Sequence, residues 1–215
     1  MKPHVSTILP FLNRPNGRYV EIGAKDGGKE SFTLYLEKCL NWQGLLVEPW
    51  PHLFHKCRKR RSRSTALNVA AVDSWLSDSY IEVVGLPPKA SIREKLKQEA
   101  MERMTGKVVE GPPQRRARNE KHIYYISTNS IQGMLERSNF EEDFDLLVLN
   151  LQGYESNALD GIDFQKIKPT FILVRLSNVT VNLPNIPMQY ERVATSTHDR
   201  MTKVVLFRYA DFGSN

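Results

Sequence analysis

Short apolar runs bounded by glycine, proline or an acid alternate along this chain with stretches in which apolar side chains recur every three or four positions. Runs of the first kind predict strands, and recurrence of the second kind predicts helices. Residues 19–22, 44–47, 65–72, 80–84, 146–149 and 170–174 read as strands, and 124–127 as a short extended piece. Helical spacing runs through Phe32, Tyr35, Leu36 and Cys39 in 31–40, through Leu53, Phe54 and Cys57 in 51–59, and through Ile131, Met134 and Leu135 in 130–137. A further helix begins over 155–159, and 190–209 reads as two strands around a turn near His198 and Asp199. Parallel strands need crossover connections. The alternation therefore predicts an α/β fold, a doubly wound and mostly parallel sheet covered on both faces, with an antiparallel C-terminal strand. The 80–84 strand is expected at an edge or antiparallel.

Between 86 and 121 the pattern changes. Pro87 and Pro88 open a charged helical segment over 92–104, which continues through Gly111, Pro112 and Pro113 into Arg115, Arg116, Ala117 and Arg118. This predicts a basic, mobile insertion within one domain spanning 1–215.

A chain of 215 residues, 40% hydrophobic and 25% charged, can bury a substantial single core. Its formal charge of +6 favours anionic partners, and the runs 56–63 and 115–118 suit RNA or another polyanion as well as a solvated face. Two cysteines, Cys39 and Cys57, are too few for a disulfide framework or a Cys-rich zinc site, so a reducing, cytoplasmic setting is expected. No stretch approaches the roughly 20 apolar residues of a spanning helix, so a soluble chain with no membrane span is expected. His4, His52, His55, His122 and His198 show no metal spacing, and no metal is expected. Trp42, Trp50 and Trp75 read as packing groups. No serine or cysteine sits in a nucleophile elbow, which leaves hydrolase chemistry without support.

Ligands of doubly wound sheets lie beyond the carboxyl ends of the strands, where strand order reverses. The first such end is "YVEIGAKDGGKESF", in which Gly23 directly follows a strand and leaves room for a ligand to approach backbone. Gly23, Gly27 and Gly28 lack the dinucleotide spacing, which favours a nucleoside-like ligand over a nicotinamide one. The second is "GLLVEPWP", where Glu48 closes an apolar strand and can accept hydrogen bonds from the vicinal hydroxyls of a ribose. Together these ends predict an adenosine-type ligand.

"YVEIGAKDGGKESFTLYLEKCLNWQGLLVEPWPHLFHKCRKRR" and "TNSIQGMLERSNFEEDFDLLVLNLQGYESNALDGIDFQKIKPTFILVR" resemble the FkbM-type methyltransferases, which use S-adenosylmethionine on the Rossmann-like class I methyltransferase fold. The resemblance rests on Gly23-Ala24-Lys25-Asp26-Gly27, Asn41-Trp42-Gln43-Gly44 and Glu48-Pro49, and covers 19–175 apart from the insertion. It implies that Glu21, Gly23, Ala24 and Asp26 line the methionine end of the cofactor. It places Glu48 on the ribose hydroxyls and residues 68–71, Asn68 and Ala70 among them, near the adenine.

The resemblance breaks where relatives close the fourth strand with aspartate, an apolar residue, glutamate and glycine. This chain has Asn150, Leu151, Gln152 and Gly153, and Arg175 stands where relatives carry an acid. An amide keeps the shape of a carboxylate and much of its hydrogen bonding but cannot accept a proton. Asn150, Gln152 and Glu155 are the candidate catalytic residues. Three alternatives stay open: an acceptor that needs no base, a base supplied by Glu155, His122 or Asp145, or a fold that binds without catalysis. The expected activity is S-adenosylmethionine-dependent methyl transfer to an oxygen of an unknown acceptor, with the insertion as lid or acceptor-recognition element. The alternative is an inactive methyltransferase-like domain that engages RNA or a protein through its basic surface.

Overall fold

The most apolar runs of the chain form its central strands. A computed structural model describes residues 3–28, 30–84, 123–140, 143–176, 184–199 and 202–210; the expected insertion at 86–121 lies outside them. In chain order the elements are α1 (Pro3–Leu12), β1 (Arg18–Ile22), α2 (Thr33–Leu40), β2 (Gln43–Val47), α3 (Pro51–Arg60), β3 (Thr65–Leu67), β4 (Ala70–Val72), β5 (Ser79–Val84), β6 (Ile123–Ser130), α4 (Ile131–Arg137), β7 (Leu146–Leu149), α5 (Glu155–Leu159), β8 (Phe171–Leu176), β9 (Tyr190–Asp199) and β10 (Thr202–Tyr209).

Seven strands form the main sheet in the order β3-β2-β1-β7-β8-β10-β9. Neighbours from β3 to β8 pair in parallel, and β10 runs antiparallel between β8 and β9. Both faces of the central strands are buried, which is why they read as unbroken apolar runs. Val20, Ile22, Leu147 and Leu149 pack on one face with Ile131, Leu135 and Leu159 from α4 and α5. Tyr19, Leu146 and Val148 pack on the other with Ile8 and Leu12 of α1, Leu36 of α2 and Cys57 of α3. A smaller sheet, β4-β6-β5, pairs β4 with β6 in parallel and β5 with β6 antiparallel. The 80–84 strand is therefore an antiparallel edge of this second sheet.

The 65–72 run is not one strand. After β3 the Asn68 side chain donates to the backbone carbonyls of Glu48 and Pro49, both at 2.9 Å, and Ser127 Oγ donates to the Asn68 carbonyl at 3.2 Å. These bonds turn the chain out of the main sheet, and β4 joins β6 instead. The helix α1 has no counterpart in the sequence reading, because Pro10 inside it is a breaker signal. Burial of Ile8 and Leu12 offsets the lost donor. Cys39 is exposed although its spacing matched the apolar side of α2. The inner face of that helix carries Thr33, Leu36 and Glu37.

Gly44 sits where β2 crosses the Tyr19 ring. A side chain carbon there would lie 2.3 Å from the Tyr19 carbonyl oxygen and 2.4 Å from its ring. The ring cannot retreat, since its hydroxyl is held by Glu37 at 2.8 Å and by Arg61 at 2.6 Å. Gly44→Ala should therefore destabilise the protein by ~3 kcal/mol, read as a lowered midpoint in urea unfolding with little change in slope.

Candidate functional site

Strand order reverses between β1 and β7, and the segments after β1, β2 and β7 meet there. Gly23 and Ala24 both donate their N–H to the Val47 carbonyl at the end of β2, at 2.9 and 3.0 Å. Gly23 has φ +82°, and a side chain carbon on it would lie 2.3 Å from the Asn150 carbonyl oxygen. The neighbouring strand end already demands glycine here, before any ligand is considered. Lys25 follows in the left-handed region at φ 53°. Its N–H donates to Glu48 Oε2 at 2.7 Å, and the Trp50 N–H donates to Oε1 at 3.0 Å. Gly23, Ala24 and Glu48 are thus brought together. Glu48 is only 3% exposed, and burial pushes its carboxyl up to about 7, against the opposing hydrogen bonds from Trp50 and Lys25.

Glu21 and Asp26 take up different positions relative to that loop. Glu21 is fully buried beneath it, accepting from Ser31 Oγ at 2.7 Å, Thr33 Oγ1 at 2.5 Å and the Phe32 N–H at 3.1 Å. Burial raises its carboxyl above the usual range in spite of these donors. Asp26 sits at the half-exposed rim, bound by Arg60 Nη1 at 2.6 Å and by the Gly28 N–H at 3.0 Å. Its partial burial works against ionisation, yet the bonds from Arg60 and Gly28 hold its carboxyl below the ordinary value. Asn68 lies beside Glu48 through the backbone bonds already described. Ala70 is buried in the small-sheet cluster with Val72, Leu76, Ile81, Ile126 and Tyr154.

Beyond β7, Asn150 is buried and its Nδ2 donates to the Gly23 carbonyl at 3.1 Å. An ionised aspartate could not make that bond, because it has no proton to give. The neutral amide thereby ties the ends of β1 and β7 together. Gln152 is exposed in the left-handed region at φ 56°. Glu155 is buried at the start of α5, where its Oε1 accepts the Leu151 N–H at 2.9 Å and closes the turn. The three candidate catalytic residues follow one strand but face three different environments. Arg175 reaches within 3.5 Å of Glu30, which also pairs with Lys25 of the first loop. Asp145 lies at the opposite end of β7, accepting the Arg18 N–H at 2.7 Å, and is remote from this site along the strand. His122 is outside the described residues.

Arg61 is the residue that the sequence reading placed wrongly. Within the basic run 56–63 it looked solvated or phosphate-facing, but it is fully buried against Glu37, with Nε 2.9 Å from Oε2. Burial works against ionisation of Glu37, and hydrogen bonds from Ser64 and Tyr19 with the charge of Arg61 hold its carboxyl below the usual range. The pairing had one weak signal in advance. Glu37 occupies the inner side of a helix whose exposed side already carries Lys38. The rest of the run, Lys56, Arg58, Lys59, Arg60 and Arg63, is exposed. Among the described residues no group of His, Cys, Asp or Glu is placed to hold a metal ion, and no helix is long and apolar enough to cross a membrane.

The doubly wound sheet and the glycine and acid ends at its switch point define the class I methyltransferase fold. The chain belongs to the methyltransferase FkbM domain family, whose model matches residues 21–205. Solved structures agree at the level of fold. The putative methyltransferase yhhF from Escherichia coli superposes with a TM-score of 0.54 at 11% identity, over 98% of this chain and 89% of that one. Methyltransferase FkbM from Methylobacillus flagellatus superposes with a TM-score of 0.52 at 14% identity, over 90% of this chain and 44% of that one. A putative methylase from Haemophilus influenzae gives 0.51 at 11% identity, over 98% and 90%. No curated protein matches the chain by sequence.

The Asn150 bond can be tested directly. Asn150→Asp places a carboxylate against the Gly23 carbonyl in a buried setting and should cost about 1–3 kcal/mol near neutral pH. Protonation restores a donor, so the carboxyl of the variant is raised in the folded state. Its deficit relative to wild type should shrink as pH falls from about 7 towards 4, measured by urea unfolding across that range.

Proposed function

We propose that the chain binds S-adenosylmethionine at the β1–β2–β7 switch point and transfers its methyl group to an acceptor whose attacking atom offers a lone pair without first losing a proton. The observation that carries the reading is the Glu48 carboxylate, closing β2 and reaching into the loop after β1. A carboxylate has about four acceptor positions. Glu48 uses two of them on the Lys25 and Trp50 N–H groups, so capacity remains for the two hydroxyls of a ribose. The residues present therefore fit the group. When bound, that cofactor supplies a methyl on a sulfonium, open to in-line displacement. What this chain contributes is position: Glu48 for the sugar, the backbone of Gly23 to Lys25 for close approach, and exclusion of water by the loops.

The acceptor class is inferred from the described residues that follow β7. Asn150 and Gln152 cannot take a proton, and one oxygen of Glu155 is already committed to the Leu151 N–H. An oxygen acceptor here is one already ionised, such as a carboxylate; a neutral amine also meets the requirement. The insertion 86–121 is the segment we assign to acceptor recognition. A second reading, a silent binding domain, is favoured by the exposed Lys56, Arg58 and Lys59 of α3, a helix without an acidic residue. Its natural partner would be a polyanion such as RNA.

Calorimetry with S-adenosylmethionine and S-adenosylhomocysteine separates the readings. Binding of both, with methylation of a carboxylate or amine acceptor in a screen, is expected. Absence of binding to either leaves only the polyanion reading, read as salt-dependent retention of single-stranded RNA. Glu48→Ala should weaken cofactor binding by more than about tenfold, by stranding the ribose hydroxyls and two backbone donors.

The raised carboxyl of Glu48 adds a pH signature. Its folded value of about 7 exceeds the ordinary 4.5, so the stability gained from holding the neutral form diminishes as pH rises between those values. The ionised form is the better acceptor of hydroxyl protons. Cofactor affinity should therefore increase as pH is raised through about 7, and Glu48→Gln should abolish that dependence. Flat affinity for the wild type from about pH 6 to 8 would remove Glu48 from the contact.

A further inference from the structure

The loop after β1 rests on a buried guanidinium to which the proposed reaction assigns no role. Arg61 follows the last residue of α3, and its side chain runs beneath Gly27, Ser31 and Thr33. A guanidinium has five N–H donors and no acceptor. Nε donates to Glu37 Oε2 at 2.9 Å, Nη1 to Ser31 Oγ at 2.8 Å and to the Gly27 carbonyl at 3.4 Å, and Nη2 to the Tyr19 hydroxyl at 2.6 Å and Thr33 Oγ1 at 2.9 Å. No donor is left over.

The direction of these bonds matters more than their number. Because Arg61 can only donate, the hydroxyls of Ser31 and Thr33 must accept from it. Each hydroxyl then has its one proton free, and both point it at Glu21 Oε2, at 2.7 and 2.5 Å. One cation thus balances Glu37 by direct contact and Glu21 through two parallel hydroxyl bridges. The loop is clamped between them. The fit is close as well as polar: a side chain carbon on Gly27 would lie 2.8 Å from Arg61 Cγ and 2.9 Å from Cys57 Sγ. Lysine, with a point charge and three donors, cannot reproduce a planar five-way fork.

We propose that Arg61 is a positioning residue of the ligand site: by holding Gly27, Ser31 and Thr33, and through those two hydroxyls Glu21, it sets the loop that carries Glu21 and Asp26 and hence affinity for the ligand's amino-acid portion, without touching the ligand. The inference rests on the cofactor reading above. The sugar contact is separate, because Glu48 is attached at Lys25 and Trp50 rather than at the segment Arg61 holds. Loss of the fork should therefore harm one end of the ligand and spare the other.

The test is calorimetric titration of wild type, Arg61→Lys and Ser31→Ala with S-adenosylhomocysteine and with adenosine, alongside amide-hydrogen exchange over 23–31. Arg61→Lys should weaken S-adenosylhomocysteine about tenfold or more while leaving adenosine affinity unchanged, and should speed exchange in the loop. Ser31→Ala keeps every charge and should show part of the same selective loss, which carries the test should the lysine variant fail to fold. Equal losses for both ligands, or no loss for S-adenosylhomocysteine, would overturn the proposal. Should wild type bind neither ligand, the cofactor reading falls, and exchange alone decides: unaltered protection of the loop in either variant overturns the role of Arg61.

Discussion

A side chain at position 23 would have to share space with the carbonyl of Asn150, 2.3 Å away. That contact is the constraint on which the site depends. β1 and β7 are neighbours in the sheet but distant in the chain, and both must end at the same level for their following loops to meet. Gly23 lets them do so, and the Asn150 amide locks the arrangement by donating to the Gly23 carbonyl. Glycine at this strand end is therefore explained by sheet geometry alone, and the proposed ligand would add a second reason. The first requirement would hold even in a chain that had lost its ligand.

Charge beneath the cleft is organised by burial. Glu21, Glu37, Glu48 and Arg61 are all withdrawn from water, where unpaired charges would cost several kcal/mol each. Three solutions appear side by side. Glu37 is paired with Arg61 and stays ionised; Glu21 is reached through hydroxyls and is raised; Glu48 has only backbone donors and is raised to about 7. On the proposed reading Glu48 is the one of the three that faces the ligand. A ligand that offers two hydroxyl donors would supply what Glu48 lacks, which ties ligand binding to the stability of the loops on either side.

How much of this could be read from the sequence depended on whether a residue acts through local pattern or through distant contact. β1, β2 and β7, with Gly23 and Glu48 at their ends, were legible because a buried strand and its terminating residue lie in one short window. Arg61 was not, since a basic residue in a basic run takes its meaning from Tyr19, Glu37 and Thr33, up to 42 positions away. The break between β3 and β4 was hidden because it depends on the Asn68 side chain finding the carbonyls of Glu48 and Pro49. The helix α1 was masked by Pro10, whose local penalty is outweighed by packing against a sheet the local window does not show. The fold was thus more legible than the support of its site.

Of the two neutral amides after β7, only one is explained by its contacts. Asn150 is a structural donor whose replacement by an acid would set like dipoles against each other, whereas Gln152 is exposed and makes no contact that demands an amide. Catalysis without a nearby base is not a contradiction for methyl transfer. Holding a donor carbon and an unprotonated acceptor in line can supply about 7–11 kcal/mol of barrier reduction through effective concentration alone. Such a mechanism asks for rigidity at the strand ends rather than for a titrating group between them. The bond from Asn150 to Gly23, the carboxylate of Glu48 on two backbone donors and the fork of Arg61 under the loop each hold a strand end or its loop in place. On the proposed reading, selection among acceptors would turn on protonation state before shape, because neither amide after β7 can take a proton from an alcohol.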